Sequence, residues 1–180
     1  MRVIAGSLGG RRLRAPRGSA TRPTADRVRE ALFSMLGPIE GARVLDLYAG
    51  SGALGIEALS RGAASSVFVE RDGRALAALR ANLQALGLGG EAAQVRGGEA
   101  LAALADARER GETYDLLFID PPYAKVPQLT EALSAAVPAL LGAGGRVVLE
   151  SDRRAPLALG LPTLRERRYG DTLITIHRQP

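Results

Sequence analysis

Four consecutive residues, Asp120, Pro121, Pro122 and Tyr123, combine hydrogen-bond acceptors with an aromatic ring. The two prolines fix the backbone and remove two N–H donors, so the loop is stiff and its carbonyls point outward. The Asp120 carboxylate and the Pro121 carbonyl can therefore hold both hydrogens of one NH₂ group, and Tyr123 offers a face on which a planar ring can stack. This tetrapeptide predicts a site for the exocyclic amine of a nucleobase.

The chemistry of such a site follows from the amine itself. An exocyclic amine is a poor nucleophile because its lone pair is delocalised into the ring. Holding both hydrogens out of the ring plane returns electron density to the nitrogen. A methyl sulfonium in line with that nitrogen would then complete a direct displacement, catalysed by proximity and electrostatics. We therefore treat 120–123 as candidate catalytic residues, with a Pro-rich turn of no function as the alternative interpretation.

A glycine-rich segment supplies the second motif. Gly50, Gly52 and Gly55 satisfy the pattern GxGxxG between an apolar run and a predicted helix, as phosphate- and nucleoside-binding turns require. On its own this pattern fits either a nicotinamide or flavin dinucleotide or S-adenosylmethionine. Asp46 favours the latter, because a carboxylate just before the glycines would repel a pyrophosphate but can bind the ammonium group of a methionine moiety.

Two further carboxylates follow the next two apolar runs. Glu70 lies 20 residues after Gly50, where a carboxylate can accept both hydroxyls of a ribose. Glu99 fits two interpretations equally well: an acceptor for the adenine amino group, or a charge at the start of a helix.

The composition narrows the possible chemistry. The 180 residues include no cysteine and one histidine, His177, which excludes a cysteine nucleophile and argues against zinc and iron–sulfur sites. We expect no metal, and a structural or solvated role for His177. No apolar run reaches 18 residues and the N-terminus lacks the apolar region of a signal peptide, so we expect a cytoplasmic protein with no membrane partner.

The net charge of +5 is unevenly distributed along the chain. Residues 1–30 carry eight arginines against two acidic residues, whereas residues 31–150 carry fourteen acidic residues against ten basic ones. A basic arm beside a mildly acidic body is typical of a protein that binds phosphates from one side. An arginine-rich genome is the alternative explanation. We expect RNA contacts from Arg11, Arg12, Arg14 and Arg17.

The pattern of apolar runs predicts an α/β fold. Short runs at 43–48, 65–70, 92–96, 114–120 and 145–150 alternate with helical stretches at 53–61, 74–86, 98–110 and 127–141. Strands separated by helices indicate a parallel sheet covered on both faces. Residues 163–169 and 172–178 read as an antiparallel hairpin at one edge, residues 24–36 as a helix, and 2–5 with 11–14 as a small hairpin. We predict one domain, 1–180, with a basic extension over 1–21 and a catalytic core over 22–180.

Taken together, the segments DLYAGSGALG, VFVER, GGEAL and FIDPPY resemble the class I S-adenosylmethionine-dependent amino-methyltransferases. The segments RVIAGSLGGRRLRAP, RPTADRVREALFSML and EALSRGA narrow this resemblance to the bacterial small-subunit ribosomal RNA guanine-N2 methyltransferases of the RsmD type. The resemblance spans almost the whole chain. It implies a Rossmann-like, mostly parallel seven-stranded sheet. It also implies methylation of the exocyclic N2 of one guanosine, usually numbered 966, in assembled or partly assembled small subunits, by a protein we expect to be a monomer.

The resemblance also implies roles for individual residues. Asp46 and the three glycines of the loop would contact the methionine half of the cofactor. Glu70 would bind the ribose, and Glu99 with the Ala100 backbone the adenine. Asp120 and the Pro121 carbonyl would hold the target amine. The segment that would close over the site and touch cofactor or RNA contains Arg22, Thr24, Arg27 and Arg29.

Other functions remain open at this point. The chain also fits an amino-methyltransferase acting on DNA adenine or on a protein glutamine, although relatives of those kinds carry an extra domain. A nicotinamide-dependent oxidoreductase could use the same glycines. A non-catalytic RNA-binding assembly factor could retain the pocket, but it would have no need of the double acceptor at Asp120.

Overall fold

The computed structural model describes residues 1–16, 23–121 and 126–180, apart from the side chains of residues 23–25 and 126–128. Helices and strands alternate along most of this length. In chain order they are α1 (Pro23–Leu36), β1 (Arg43–Leu47), α2 (Ala53–Ser60), β2 (Ser65–Glu70), α3 (Gly73–Leu86), β3 (Ala93–Gly97), α4 (Ala100–Glu109), β4 (Tyr114–Ile119), α5 (Val126–Ala136), β5 (Leu141–Asp152), β6 (Thr163–Tyr169) and β7 (Thr172–Arg178).

The strands form one seven-stranded sheet in the order β3-β2-β1-β4-β5-β7-β6. The pairs among β1 to β5 are parallel, and β7 is antiparallel to both β5 and β6. This confirms the predicted mixed sheet with a C-terminal edge hairpin. The order of connection reverses between β1 and β4, and open α/β sheets bind ligands beyond the carboxyl ends of the strands at such a point.

Apolar clusters cover both faces of the sheet. On one face α4 and α5 pack over β1, β4 and β5, with Leu104, Leu117 and Leu133 among the buried residues. On the other face α1 packs over β4, β5 and β7, where the Phe33 and Phe118 rings lie 5.7 Å apart. Strands buried on both faces explain the nearly continuous apolar runs of the sequence.

Two elements have a boundary that differs from the prediction by more than two residues. The helix predicted over 127–141 ends at Ala136, because Pro138 has no N–H and starts a separate 3₁₀ turn, Pro138–Leu140. The fifth strand, predicted over 145–150, spans Leu141–Asp152, and its register against β4 shifts between Tyr114 and Leu116. None of the helices in the described part of the chain is long and apolar enough to cross a membrane.

Residues 1–16, here called the N-terminal arm, form the predicted short antiparallel pairing. The Val3 amide donates to the Arg11 carbonyl at 2.9 Å, and the Leu13 amide donates to the Met1 carbonyl at 3.1 Å. The Val3 and Leu13 side chains are buried in one apolar cluster with Ile56 of α2 and residues of α3. The arm is therefore packed onto the helices that flank the glycine-rich loop.

Candidate active site

Five carboxylates lie near the carboxyl ends of five neighbouring strands or just beyond them. In spatial order they are Glu99 after β3, Glu70 on β2, Asp46 on β1, Asp120 after β4 and Glu150 on β5. The register supports this row, since Leu47 pairs with Ile119 and Ile119 pairs with Leu149. Neighbouring strands lie about 4.8 Å apart, so the row gives this edge of the sheet a concentrated negative charge.

Asp46 lies inside the protein, beneath the glycine-rich loop. Its Oδ2 accepts a hydrogen bond from the Gly55 amide at 2.9 Å, which ties β1 to the first turn of α2. Burial raises the pKa of Asp46 to about 7; the Gly55 hydrogen bond opposes this rise and the charge of Glu70 adds to it. The residue therefore holds the loop in place from below.

Each of the three glycines in the loop is required for a different structural reason. Gly50 has φ 57°, and a Cβ there would meet no atom within 4 Å, so its outer face is open. Gly52 has φ 86°, and a Cβ there would lie 2.4 Å from the Leu79 side chain. A Cβ at Gly55 would lie 2.3 Å from the Phe68 ring. Thus Gly52 and Gly55 allow α2 to pack closely, whereas Gly50 borders free space at the switch point.

Glu70 binds the loop from the neighbouring strand. Its Oε2 accepts from the Gly50 amide at 2.8 Å, and its Oε1 accepts from the Arg71 and Asp72 amides at 2.8 Å each. A carboxylate has about four acceptor positions, so the three hydrogen bonds leave capacity for a ligand hydroxyl. This position is consistent with the predicted ribose contact.

Tyr48 directly follows β1 and begins the turn that leads to the glycine-rich loop. It has φ 63°, a left-handed conformation that costs a residue with a side chain about 1–2 kcal/mol. Burial raises the pKa of Tyr48, and so does the charge of Glu99, while Arg71 lowers it. Strained residues of this kind cluster at functional sites, and no sequence pattern could have indicated this one.

Glu99 stands just before α4 and forms an ion pair with Arg71, with Arg71 Nη1 2.8 Å from Glu99 Oε1. Both side chains are exposed. The Glu99 side chain makes no capping hydrogen bond to α4. Its position just before the helix is compatible with both predicted roles, a charge at the start of a helix and an acceptor for the adenine amino group. Ala100, the first residue of α4, is buried.

Asp120 lines a cavity of about 700 Å³ between α1, α2 and the ends of β4, β5 and β7. Its side chain is exposed to the cavity, yet the surrounding protein desolvates it. This desolvation raises the pKa of Asp120 well above its usual range, and the charges of Glu150 and Asp46 raise it further. Pro121 is buried, which fixes the backbone directly behind the carboxylate.

The residues at this edge fit S-adenosylmethionine. The cofactor is positively charged at its sulfur and ammonium groups, and its ribose and adenine carry hydrogen-bond donors. The crevice presents the acceptors Glu70 and Glu99 and open space above Gly50, with Asp46 buried beneath the loop. A pyrophosphate would meet the same carboxylates unfavourably. Within the described residues no group of three or more His, Asp or Glu side chains is placed to hold a metal ion.

The arginines of the N-terminal arm occupy two kinds of position. Arg11 is exposed, but its Nη2 donates to the Ala85 carbonyl at 2.9 Å and so docks the arm on the end of α3. Arg12 and Arg14 are exposed, as is Arg27 on α1. These three side chains are open to solvent.

The expectation for Arg29 needs correction. Its side chain is only 5% exposed, and its Nη2 contacts Asp26 Oδ1 at 3.0 Å and the carbonyl of Arg2. Its Nε lies 3.7 Å from Glu57, whose side chain is fully buried. Because this guanidinium is enclosed and paired, Arg29 is not an exposed contact for RNA phosphates and is placed to hold α1 against the arm and α2. It also lines the cavity that contains Asp120.

Several predicted site residues lie outside the described part of the structure. These are Arg17, Arg22, the side chain of Thr24, Pro122 and Tyr123.

Glu57 has a structural role that no sequence motif indicated. It accepts from the Ile4 amide at 2.7 Å, the Ala5 amide at 3.0 Å and Arg61 Nε at 2.7 Å. It therefore anchors the arm to α2. Glu57 is the one charged residue in the segment ALGIEALS, and an isolated carboxylate in such a segment could have indicated a buried ion pair.

Asn82 makes a comparable link from α3. Its Oδ1 accepts from the Arg14 amide at 2.7 Å, and its Nδ2 donates to the carbonyls of Arg14 at 3.0 Å and Ser51 at 2.9 Å. One buried side chain thus connects the arm to the glycine-rich loop.

Comparison with known proteins places these features in one family. Residues 1–178 match the family model described as "Conserved hypothetical protein 95". The chain is 43% identical over 185 residues to YlbH of Bacillus subtilis, covering 99% of each protein. It is 43% identical over 126 residues to ribosomal RNA small subunit methyltransferase D of Escherichia coli K12, covering 69% of this chain and 61% of that protein.

Solved structures agree with this placement. The methyltransferase yhhF of Escherichia coli superposes with a TM-score of 0.83 at 34% identity, covering 99% of this chain and 97% of that one. The 16S rRNA N2 G1207 methyltransferase of Thermus thermophilus, solved with AdoMet and guanosine, has a TM-score of 0.67 at 25% identity, covering 91% of this chain and 45% of that one. The chain therefore belongs to the RsmD-type family of ribosomal RNA methyltransferases.

Proposed function

We propose that this protein transfers the methyl group of S-adenosylmethionine to the exocyclic N2 of a guanosine in small-subunit ribosomal RNA, usually numbered 966. One observation carries the proposal: Asp120 ends the strand next to the glycine-rich loop and presents its carboxylate to a cavity large enough for a base. The relatives named as small-subunit methyltransferases support the substrate class. The guanosine-bound N2 methyltransferase with the same fold supports the choice of N2.

The chain's own residues orient the amine. Asp120 and the Pro121 carbonyl accept its two hydrogens, which localises the lone pair on N2 and aims it away from the carboxylate. When bound, S-adenosylmethionine supplies a methyl group on a positively charged sulfur that departs as a neutral thioether. The new N–C bond forms as the C–S bond breaks, so N2 must lose one proton. Because its pKa is raised, the Asp120 carboxylate is a stronger base than an ordinary carboxylate and can accept that proton directly.

The proposal puts the two ligands on opposite sides of the switch point. The carboxylates from Asp46 to Glu99 bind the cofactor on the β1–β3 side of the switch point. The cavity beside Asp120 lies on the β4–β5 side and takes the base. A guanine in a paired or stacked RNA must be turned out to reach this cavity. Arg12, Arg14 and Arg27 would hold the flanking phosphates while this happens. We place this activity in the cytoplasm, where ribosomal subunits assemble.

A methyl-transfer assay tests the proposal. Small subunits from cells lacking the enzyme are incubated with the protein and isotope-labelled S-adenosylmethionine, then digested to nucleosides for mass spectrometry. We expect labelled N2-methylguanosine, and an about 100- to 1000-fold lower kcat/KM for Asp120→Asn with cofactor affinity retained. Asp106→Asn, on the exposed side of α4, is the matched control. Cofactor binding without label on the particle would refute the substrate, and free RNA, DNA and protein would be tested next.

The same assay separates the rival functions. An RNA-binding assembly factor would bind the particle equally well with Asp120→Ala and show no methyl transfer in the parent protein. A nicotinamide enzyme would gain thermal stability from that cofactor rather than from S-adenosylmethionine.

Phosphate contacts by the arm have their own measurable consequence. Each arginine that neutralises one phosphate adds about 0.7–0.9 to the slope of log K against log salt concentration. Removing Arg12 should therefore weaken RNA binding and lower that slope by about this amount. Arg108→Ala, on the exposed side of α4, should leave the slope unchanged. An unchanged slope for Arg12→Ala would show that Arg12 does not contact an RNA phosphate.

A further inference from the structure

Glu150 lies directly beside Asp120 at the end of the adjacent strand. Ile119 of β4 pairs with Leu149 of β5, so the residue that follows each of them stands at the same level. Both carboxylates line the same cavity. Among the described residues neither has a hydrogen-bond or ion-pair partner. Burial raises the pKa of Glu150, and the charge of Glu150 in turn raises the pKa of Asp120, in agreement with the neighbouring positions that the strand register gives them.

The other acidic residues of the cavity are engaged. Asp152 Oδ1 accepts from the Arg154 amide at 2.8 Å. Asp171 Oδ1 lies 3.3 Å from Arg153 Nε and 3.5 Å from Arg154 Nη2. The pair formed by Asp120 and Glu150 therefore offers the acceptor capacity of the cavity to a ligand. Such a pair suits a ligand with two N–H groups side by side.

Guanine presents that edge. Its ring N1–H lies next to its exocyclic N2 amine, so two neighbouring donors face outward. Adenine has an acceptor at N1. The N1 lone pair would face a carboxylate oxygen, and no hydrogen bond could form between the two acceptors. We propose that Glu150 accepts the N1–H of the target guanine while Asp120 holds its N2 amine, so that Glu150 is a specificity-determining residue. This inference rests on the proposed function and assigns the group that distinguishes guanine from other purines that carry a 2-amino group.

The energetic consequence follows from leaving a polar group unpaired. An N1 acceptor facing the carboxylate would lose one charge-assisted hydrogen bond and bring two lone pairs together. Sites built to bind an N–H group reject analogues that lack it strongly. We expect at least about a 10-fold preference in kcat/KM for guanine over a purine with the same 2-amino group and no N1–H.

The analogue 2-aminopurine provides the test, because it keeps the 2-amino group and has an acceptor at N1. The RNA substrate is prepared with guanosine or with 2-aminopurine riboside at the target position. Methyl transfer to each is measured as kcat/KM for the parent enzyme and for Glu150→Gln. The glutamine amide can donate to an N1 acceptor, so the guanine preference should fall at least fivefold in this variant. A merely structural role would change both rates together and leave their ratio unchanged.

Two control variants separate charge from recognition. Asp152→Asn removes one negative charge from the same cavity and should keep the parental ratio whatever its effect on rate. Glu131→Gln, on the exposed side of α5, should keep both the ratio and the rate.

Three results would overturn the inference or its foundation, and they are distinguishable. A parent enzyme that methylates 2-aminopurine as well as guanine overturns the role of Glu150 without any variant. A guanine-to-2-aminopurine ratio of kcat/KM in Glu150→Gln equal to that of the parent enzyme also overturns the role of Glu150. A parent enzyme that leaves guanine unmethylated in the particle overturns the proposed function, and with it this inference.

Discussion

Replacing Glu57 by alanine tests whether the N-terminal arm is held by one buried carboxylate. Glu57 is fully buried and accepts two backbone amides of the arm as well as Arg61. It also balances the enclosed guanidinium of Arg29 at 3.7 Å. The alanine variant would leave both amides without their acceptor and remove one of the two carboxylates paired with the buried Arg29 guanidinium.

The expected cost follows from these contacts. Breaking a buried ion pair by removing one partner costs about 3–5 kcal/mol, because the remaining charge stays buried. The two released amides act in the same direction, at about 1–3 kcal/mol each if water does not reach them. Because Arg29 keeps Asp26 as a partner and the arm lies at the surface, where water can reach the released amides, we expect the total loss to stay within about 3–5 kcal/mol. For a chain of this size that corresponds to a fall in Tm of about 6–20 °C.

The assay combines calorimetry with hydrogen exchange. Calorimetry of Glu57→Ala should show the lower Tm. Hydrogen exchange should show lost protection first at the Ile4 and Ala5 amides, and at Ser7, whose amide donates to the Ser60 carbonyl at 2.7 Å. Glu109→Ala, which removes an exposed carboxylate from α4, should stay within about 0.5 kcal/mol of the parent.

Two results would refute this reasoning. A Glu57→Ala variant as stable as Glu109→Ala would mean that the arm is held by its apolar contacts alone. Unchanged protection at Ile4 and Ala5 would mean that water or another acceptor replaces the carboxylate without cost.

Three other substitutions give further expected outcomes. Gly6→Ala should lower Tm more than Gly10→Ala, because both glycines have φ above 80° but a Cβ at Gly6 would lie 1.8 Å from the Ser60 carbonyl oxygen, whereas one at Gly10 meets nothing within 4 Å; equal losses would contradict the close contact. The pKa of Asp46 rises from 3.8 to about 7 on folding, so its contribution to stability is greatest below about pH 4 and is lost as the pH rises through 7, by about 4 kcal/mol. Unfolding curves from pH 4 to 8 should therefore fall less steeply for Asp46→Asn than for the parent, and parallel curves would contradict the burial argument. Tyr48→Gly should be more stable than Tyr48→Ala by about 1 kcal/mol in denaturant unfolding, because only glycine adopts φ 63° without strain; a more stable alanine variant would exclude that strain.

Most of the fold could be predicted from the local pattern of apolar and polar residues. Alternating apolar runs and helical stretches predicted the parallel strands, and the structure confirms β2 over Ser65–Glu70 and the hairpin of β6 and β7 at the predicted residues. The end of α5 was missed, because helical periodicity continued past Pro138 and the missing proline N–H decided the boundary.

The candidate site was only partly readable from the sequence. The motifs placed Asp46, Glu70 and Asp120 near the ends of three predicted strands, since each lies at or near the end of an apolar run. Glu150 ends its run in the same way, but no motif marks it, and its meaning depends on β5 being the neighbour of β4. Arg29 carried the same charge as Arg27, and nothing local indicated that one would be buried and the other exposed.

By itself, the sequence determined which chemical groups are present and which strand each group follows, because apolar periodicity and turn residues act over a few positions. The tertiary structure alone decided which carboxylates face one cavity, which arginine is enclosed, and that Glu57 and Asn82 fasten the arm to the helices beside the glycine-rich loop. Those contacts join residues more than 30 positions apart. They depend on strand order and helix packing, which bring distant segments together only once the whole sheet has formed.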